Sequence, residues 1–428
     1  MRKQGQMIFI LILCFHIALI AWPQQTSISP EIRRSLQQRI DSGIYESVIV
    51  GVIQGENKEV LQLNASFLKD EKQVTSSTLF QADYLKPVFV SLQLADMLNK
   101  EIVSMGQPIN DLLPKDYRFK KQRNMTVENL ALNSSGMSVQ DEVQEAITCM
   151  PGEEIYAKMQ QVIFDYEPGS SLDLSNFQND LLSILLLEKI GVPCEMYFND
   201  ELFAQLSLKN TLLSNRDGAP VSGGHFENGR LYTSVEELMK IIRVENAQIK
   251  KEFAANLSAL HKYRQETRFN SFELSPGWLV YQQDTPCFYI QSGHHEDDAV
   301  FIAFCPEQQF GLVILAKTKI PLIDLGWSIL FSNTHFLNQH IFDQKVSATV
   351  KICGEYINKS DELISIIKRG HERLAYFNGR EAYTLFQVND NSWTLSIPGY
   401  AFRFIETSGE ITELLIDGYS AEAYYKVK

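Results

Sequence analysis

The sequence has no internal repeats and no low-complexity tracts, and no part of it has the composition of a disordered or fibrous chain. Hydrophobic residues make up 45% of its 428 residues and charged residues 21%, which is ordinary for a globular protein. A chain of this length can bury more than one sizeable hydrophobic core. The composition therefore predicts a folded protein with two domains.

Positive charge is scarce in this chain. Lys and Arg total 39 against 52 Asp and Glu, so the formal net charge at pH 7 is -13, and the basic residues form no stripe or block. Such a surface should be repelled by nucleic-acid phosphates and by anionic membrane surfaces. We therefore expect no nucleic-acid partner.

Cysteines are few and widely spaced. The chain has six, and no two lie close enough in sequence to form a paired metal-ligand motif. Cys287 and Cys305 could face each other across a hairpin, but two buried free thiols are the simpler interpretation. The sequence therefore indicates neither a metal site nor a cofactor.

The first 24 residues have the layout of a secretory signal peptide. Arg2 and Lys3 precede an apolar run from Met7 to Trp22, and the chain turns polar at Pro23. The run contains His16 and is short for a membrane span, which favours cleavage over a retained anchor. We expect residues 1–24 to be a signal peptide and the mature protein to be exported, periplasmic or extracellular, without a stable membrane span.

Two regions of different texture follow the signal peptide. Residues 25–340 alternate between strand-like segments (47–54, 59–63, 288–291, 300–304 and 311–316) and helix-like segments (88–99, 181–190 and 235–244). This order fits an α+β domain in which a helical cluster is enclosed between the two ends of one antiparallel sheet. Residues 350–428 contain short alternating strands separated by turn signals such as Asn378-Gly379, and they predict a small all-β domain, either a sandwich or a barrel.

Three segments of the first region, taken together and in this order, resemble one family. They are Met125–Met137 (MTVENLALNSSGM), Tyr166–Asn176 (YEPGSSLDLSN) and Gly229–Leu238 (GRLYTSVEEL). They are similar to the patterns T-L-R-x-L-L-T-H-T-S-G-L, F-x-P-G-x-x-F-x-Y-S-N and G-G-L-x-S-T-x-x-D-L of the serine β-lactamase and penicillin-binding protein superfamily, which includes class C β-lactamases and D-alanyl-D-alanine carboxypeptidases. The resemblance covers most of residues 30–335 and implies a β-lactamase/transpeptidase-like fold.

The chemistry of this family implies a serine nucleophile at a helix N-terminus and a lysine three residues later that manages its proton. The family pattern F-x-x-G-S-x-x-K-x-F resembles Phe80–Phe89, where both phenylalanines match. Without a gap, the serine position falls on Tyr84 and the lysine position on Pro87. A one-residue deletion would instead place Asp83 and Lys86 there, so neither register supplies a serine. Asp83 is expected to cap the helix that follows.

The other two elements of the family's site are also altered. Its Tyr-x-Asn loop, whose tyrosine shares the acid–base work, resembles residues 174–176, which have Leu174 in place of the tyrosine and keep Asn176. Its Lys/His-x-Gly strand motif, which lines the cleft, resembles the segment that starts at Gly293. In that alignment His294 occupies the basic position and Glu296 replaces the glycine.

The replacements at Tyr84, Pro87 and Leu174 predict a pseudoenzyme. They remove three groups that transfer protons in one mechanism, and such groups act as a unit. A phenol that titrates near pH 10 would need a base to become a nucleophile, and a proline cannot be one.

The resemblance then implies a vestigial cleft that binds without cleaving. Asn176, His294 and Ser135 would be its recognition residues, and the ligand would be a peptidoglycan peptide or a protein of the cell envelope. The alternative is an active β-lactamase, D-Ala-D-Ala carboxypeptidase or esterase that uses an atypical nucleophile, such as Ser135 or Ser175.

Overall fold

The protein is described here by a computed structural model that covers most of the chain from residue 28. The described residues are 28–68, 73–120, 124–138, 156, 162–174, 177–194, 196–214, 230–282, 286–295, 297–331, 352–369, 372–389 and 392–427. The predicted signal peptide and the predicted domain limits at 340 and 350 lie outside these residues, so they stay predictions. Within the described residues, no helix has both the length and the apolar character needed to cross a membrane.

The first domain consists of short and long strands around a helical cluster. Its strands are β1 (Ser47–Gln54), β2 (Asn57–Asn64), β3 (Phe80–Gln81), β4 (Met137–Ser138), β5 (Ile163–Phe164), β6 (Leu172–Asp173), β7 (Leu212–Ser214), β8 (Arg230–Thr233), β9 (Gln265–Glu266), β10 (Phe272–Ser275), β11 (Trp278–Tyr281), β12 (Phe288–His295), β13 (Asp298–Cys305) and β14 (Phe310–Lys317). Its helices are α1 (Pro30–Asp41), α2 (Lys86–Asn99), α3 (Val127–Ala131), α4 (Phe177–Ile190), α5 (Phe203–Leu206), α6 (Val235–Glu245), α7 (Lys251–Leu260) and α8 (Ile323–Leu330).

One antiparallel sheet of eight strands organises this domain, in the order β2-β1-β14-β13-β12-β11-β10-β9. Its central strands are continuous apolar runs because both faces are covered, and successive side chains point to opposite faces. On β1, Ile49 and Ile53 join the core shared with the helical cluster, whereas Val48 and Val50 join the core under α1 and α8. The predicted arrangement of a helical cluster on one sheet formed from both ends of the domain is confirmed.

Residues 352–427 form a closed barrel rather than a sandwich. The strands are β15 (Gly354–Ile357), β16 (Leu363–Arg369), β17 (Glu372–Phe377), β18 (Glu381–Asn389), β19 (Ser392–Leu395), β20 (Ala401–Thr407), β21 (Glu410–Asp417) and β22 (Tyr424–Lys426). Each pairs with the next, and β22 pairs with β15 to close the ring. Alternate residues fill the interior with large side chains, including Tyr356, Tyr383 and Phe402. A barrel of eight strands is narrow enough to be filled in this way.

The barrel and the first domain share backbone pairing. Strand β6 lies parallel to the start of β18, with Leu172 opposite Glu381 and Asp173 opposite Ala382. The flanking N–H of Leu174 donates to the carbonyl oxygen of Ala382 at 3.0 Å. The segment that carries Leu174 is therefore held against the barrel.

Candidate active site

The three positions expected to carry the family's proton-transfer groups lie together around one space. Tyr84 is in a 3₁₀ turn, Asp83–Leu85, that leads directly into α2, and Pro87 is the second residue of that helix. Proline is tolerated there because the earliest helical N–H groups have no partner within the helix. Leu174 follows β6 and faces the same space. We call this space the cleft, and its lining includes Tyr84, Pro87, Asn133, Leu174, Asn179, Ser275, Gly277, Trp278, Gln291 and Ser292.

Position 84 lies directly against strand β12 at Gly293. A β-carbon added to Gly293 would lie 1.9 Å from the Cβ of Tyr84 and 2.3 Å from its Cγ. Such an approach is possible only for glycine. Gly293 is therefore in direct contact with the position that the motif assigns to the nucleophile.

This contact suggests a second register for the strand motif. With Gly293 as the glycine, the basic position of the Lys/His-x-Gly pattern would fall two residues earlier, on Gln291, which lines the cleft. His294 is the next residue after Gly293, and it pairs with Ala299 on β13. His294 is not among the residues that line the cleft, so the recognition role predicted for it stays a prediction.

The other two predicted recognition residues are Asn176 and Ser135. Asn176 lies outside the described residues. Ser135 is fully buried, and its hydroxyl accepts a hydrogen bond from the backbone N–H of Met137 at 3.2 Å. Its own N–H donates to the Oε1 of Gln178 at 3.1 Å. In this structure the Ser135 hydroxyl is engaged within its own turn, and the ligand contact predicted for it stays a prediction.

Asp83 does not cap α2 with its side chain. Its Oδ1 accepts the backbone N–H of Leu231 at 2.9 Å, which ties the 3₁₀ turn to β8. No side-chain cap is formed at the start of α2. The prediction of an Asp83 cap was wrong because the 3₁₀ turn precedes the helix and points this carboxylate to a neighbouring strand.

A small cluster of charged side chains lies beneath Tyr84. The Nζ of Lys86 is 3.8 Å from the Oδ1 of Asp83, and both side chains are largely buried. Burial raises the pKa of Asp180, on α4, to about 6, although the positive charge of Lys86 lowers it and the negative charge of Asp83 raises it further. Asp83 and Lys86, which the alternative register would place in the catalytic positions, therefore form a charged cluster with Asp180.

The elevated pKa of Asp180 predicts a pH-dependent stability. Its folded pKa of about 6 lies above the usual value for an unfolded Asp, so the protonated form stabilises the fold at low pH and this contribution is lost as the pH rises through 6. Asp180→Asn should therefore raise the melting temperature at pH 7.5 and change it little at pH 4.5. Thermal melts at both values, with the exposed Asp111→Asn as control, test this. A lower melting temperature at pH 7.5 would mean that the attraction of Lys86 outweighs the desolvation of Asp180.

The barrel forms the outer wall of the cleft. Thr384, Phe386 and Ser396 belong to the barrel and line the same space as Tyr84 and Pro87. The rings of Phe386 and Tyr84 meet edge to face, with centroids 6.0 Å apart and planes at 72°. The remaining space open to water measures about 70 Å³, which is room for a few water molecules.

A buried chain of three polar side chains, absent from the sequence-based predictions, reaches the cleft from behind. The Nε2 of His261 lies 2.9 Å from the Oε2 of Glu245, and its Nδ1 lies 3.2 Å from the Oγ of Ser275. All three residues are buried, and Ser275 is part of the cleft lining. They come from α6, the end of α7 and the end of β10, and the sequence offers no motif that joins them. Only the tertiary structure brings them together.

The described residues contain no group of three or more His, Cys, Asp or Glu side chains placed to hold a metal ion. Four cysteines lie in the described part of the chain, and they are free thiols. Burial raises the pKa of the Cys305 thiol to about 12, with a further increase from the charge of Glu307. That thiol is therefore unreactive at neutral pH.

The first domain is an antiparallel sheet covered by a helical cluster, and its cleft lies where a buried helix begins against a glycine of the sheet. This is the α+β architecture of the serine β-lactamases. The family model described as Beta-lactamase matches residues 32–324, and the chain belongs to that family. No curated protein matches the sequence.

Solved structures share the same fold. A β-lactamase/D-alanine carboxypeptidase from Pseudomonas syringae is 14% identical, with a TM-score of 0.59 over 73% of this chain and 99% of that one. A class C β-lactamase in complex with cefoxitin is 16% identical, with a TM-score of 0.56 over 67% of this chain and 93% of that one. A further class C β-lactamase is 15% identical, with a TM-score of 0.58 over 73% and 96%. At these levels of sequence identity, the similarities concern the fold alone.

Proposed function

We propose that this chain is an exported, β-lactamase-related pseudoenzyme that binds a peptidoglycan stem peptide without cleaving it. The observation that carries the proposal is the replacement of proton-transfer groups around one cleft. Tyr84, Pro87 and Leu174 occupy that space together. Export is supported by the signal-like residues 1–24.

Each replacement removes a separate part of acyl transfer. Tyr84 has a hydroxyl on a rigid ring, and Pro87, at the position of the family's lysine, cannot accept its proton. Leu174 has no proton to exchange. Gln291 carries no charge with which to hold a substrate carboxylate or support an oxyanion. Together these changes support the loss of the family's Ser-x-x-Lys mechanism.

The polar groups that remain around the cleft suit recognition of an amide backbone. Asn133, Asn179, Gln291 and Ser292 carry amide and hydroxyl groups, and the Nδ2 of Asn179 donates to the Oδ1 of Asn133 at 3.0 Å. Amides and hydroxyls both donate and accept hydrogen bonds, as a peptide requires. One structural relative is titled a D-alanine carboxypeptidase, which favours a D-alanyl peptide as the ligand.

Covalent labelling and ligand-induced stabilisation test this proposal. A fluorescent penicillin and a fluorophosphonate should leave the protein unlabelled, and nitrocefin should not be turned over. Diacetyl-L-Lys-D-Ala-D-Ala should raise the melting temperature in a concentration-dependent way, because a ligand that binds the folded state stabilises it. The L-Ala-L-Ala diastereomer is the control. If neither the peptide nor soluble muropeptides change the melting temperature, a stem-peptide ligand is wrong.

The Ser275–His261–Glu245 chain supports a second candidate function, an acyl hydrolase with an atypical nucleophile. The order hydroxyl, imidazole, carboxylate is that of serine hydrolases. We favour a structural role because all three side chains are buried and the cleft in front of Ser275 holds little more than water. The same experiment separates the two, since fluorophosphonate labelling that disappears in Ser275→Ala would establish the hydrolase.

A further inference from the structure

We propose that the barrel is the resident occupant of the cleft, so that an external ligand enters only when the barrel moves away from the first domain. The inference rests on the proposed function for the identity of that ligand. In this proposal the cleft is occupied by a surface of the same chain. That surface carries one aromatic ring and two hydroxyl groups, from Phe386, Thr384 and Ser396.

The first observation is the contact at position 84 itself. Phe386 is almost fully buried and meets Tyr84 edge to face. Tyr84 is fixed from the opposite side by Gly293, which it contacts through its Cβ. The residue that replaces the nucleophile thus supplies an aromatic surface, and the barrel supplies a matching ring. Such aromatic pairs contribute attraction beyond the area they bury.

The second observation is the backbone pairing beside Leu174. The N–H groups of Leu172 and Leu174 donate to the carbonyl oxygens of Arg380 and Ala382, both at 3.0 Å. The first domain therefore presents an extended segment to β18 as an added parallel strand. This is how sheets commonly recognise an extended peptide, and main-chain hydrogen bonds provide the affinity.

The third observation is a pair of neighbouring first-domain residues, Arg268 and Phe269, that also contact the barrel. Phe269, from the segment between β9 and β10, is buried against barrel rings, with centroids 4.3 Å from Tyr400 and 5.1 Å from Tyr383. The adjacent Arg268 donates its backbone N–H to Glu381 at 3.2 Å and pairs through its guanidinium with Glu362 at 3.4 Å. The barrel is thus attached to the first domain by these side-chain contacts as well as by the pairing of β6 with β18.

With these contacts in place, the cleft has room for only a few water molecules. A stem peptide of several residues would need more space than that. Binding of the peptide to the cleft therefore competes with docking of the barrel onto the first domain. A ligand must have enough affinity for the open form to offset the loss of the contacts at Phe386 and β18.

Amide hydrogen exchange of the full-length mature protein measures docking without reference to any ligand. Phe386→Ala should accelerate exchange at Leu172 and Leu174 by about tenfold or more, because local opening controls exchange of paired amides. Amides in the middle of β13 should be unaffected, which shows that the fold persists. Ile405→Ala, on the exposed side of β20, is the matched control, and Phe386→Leu provides a milder change if the alanine variant does not fold.

Binding of diacetyl-L-Lys-D-Ala-D-Ala then separates this inference from the proposed function. Affinity about tenfold higher for Phe386→Ala than for the unmodified protein supports competition. Unchanged exchange at Leu172 and Leu174, or equal affinity of both proteins, overturns the inference and leaves the proposed function in place. Accelerated exchange with no binding to either protein supports the barrel as occupant and rejects the D-alanyl ligand.

Discussion

Replacing His261 with leucine is expected to cost the folded protein about 3–5 kcal/mol, because it leaves a buried carboxylate without its hydrogen-bond partner. The Oε2 of Glu245 lies 2.9 Å from His261, and the Glu245 side chain is fully buried. Its Oε1 has no hydrogen-bond partner among the described residues. The His261 ring also packs against Tyr289, at a centroid distance of 4.8 Å. Urea unfolding followed by circular dichroism measures the change.

An exposed ion pair of the same protein provides the comparison. Arg403 and Asp417 form a two-pronged pair on the barrel, with about half of each side chain exposed. Arg403→Leu should cost about 1 kcal/mol or less, since solvent screens this pair and the barrel core is untouched. If His261→Leu were no more destabilising than Arg403→Leu, the structural role of the buried chain would be wrong.

Ser275 adds a second measurement to the same question. A structural hydroxyl that only accepts or donates one hydrogen bond to His261 should contribute about 1 kcal/mol. Ser275→Ala should therefore be much milder than His261→Leu and leave fluorophosphonate labelling at its low level. If His261 mainly provides a hydrogen-bond partner for Glu245, His261→Leu should lower the free energy of unfolding much more than Ser275→Ala does. Similar losses in the two variants would indicate that the main partner of His261 is Ser275.

Periodicity predicted the elements of the first domain well. The strand expected at 47–54 has those limits, and the helix expected at 88–99 begins two residues earlier, at Lys86. These segments have strong apolar patterns because both sheet faces and the helical cluster are buried. The all-β character of the C-terminal region was also predicted, but the sequence did not decide between a sandwich and a barrel. Closure depends on pairing between β15 and β22, which lie far apart in sequence.

The site was harder to predict than the fold. Tyr84, Pro87 and Leu174 were placed by a motif, and the structure brings all three to one cleft. The strand motif was assigned to His294 because this residue matches the basic position of the family's pattern, whereas the contact between Gly293 and Tyr84 depends on packing that the sequence does not display. Phe386 was not among the predicted site residues, since nothing in an alternating strand indicates a surface that contacts another domain.

Restoring the two missing catalytic side chains should not restore acylation. In Tyr84→Ser with Pro87→Lys, the serine Cβ would remain against Gly293, so the nucleophile would stand at the position that the fold provides. The lysine would replace the second residue of α2, one turn further along the helix. Labelling by a fluorescent penicillin should nevertheless stay within about twofold of the Tyr84→Ala with Pro87→Ala control, because groups that act as a unit give little rate when one is absent.

The remaining obstacles are chemical and steric, and they can be removed one at a time. Leu174→Tyr returns a hydroxyl to the Tyr-x-Asn position, and Phe386→Ala opens the outer wall of the cleft. We expect penicillin labelling to rise by about tenfold or more only when both changes are added to the double variant, since acid–base groups of this kind typically contribute at least that much. Labelling of the double variant alone would show that Leu174 is not an independent defect and that the barrel does not block the cleft. Labelling that appears with Leu174→Tyr but without Phe386→Ala would retain the chemical argument and reject the barrel as occupant. The two explanations for an inactive cleft, lost proton transfer and a resident domain, are therefore separable within one series of variants.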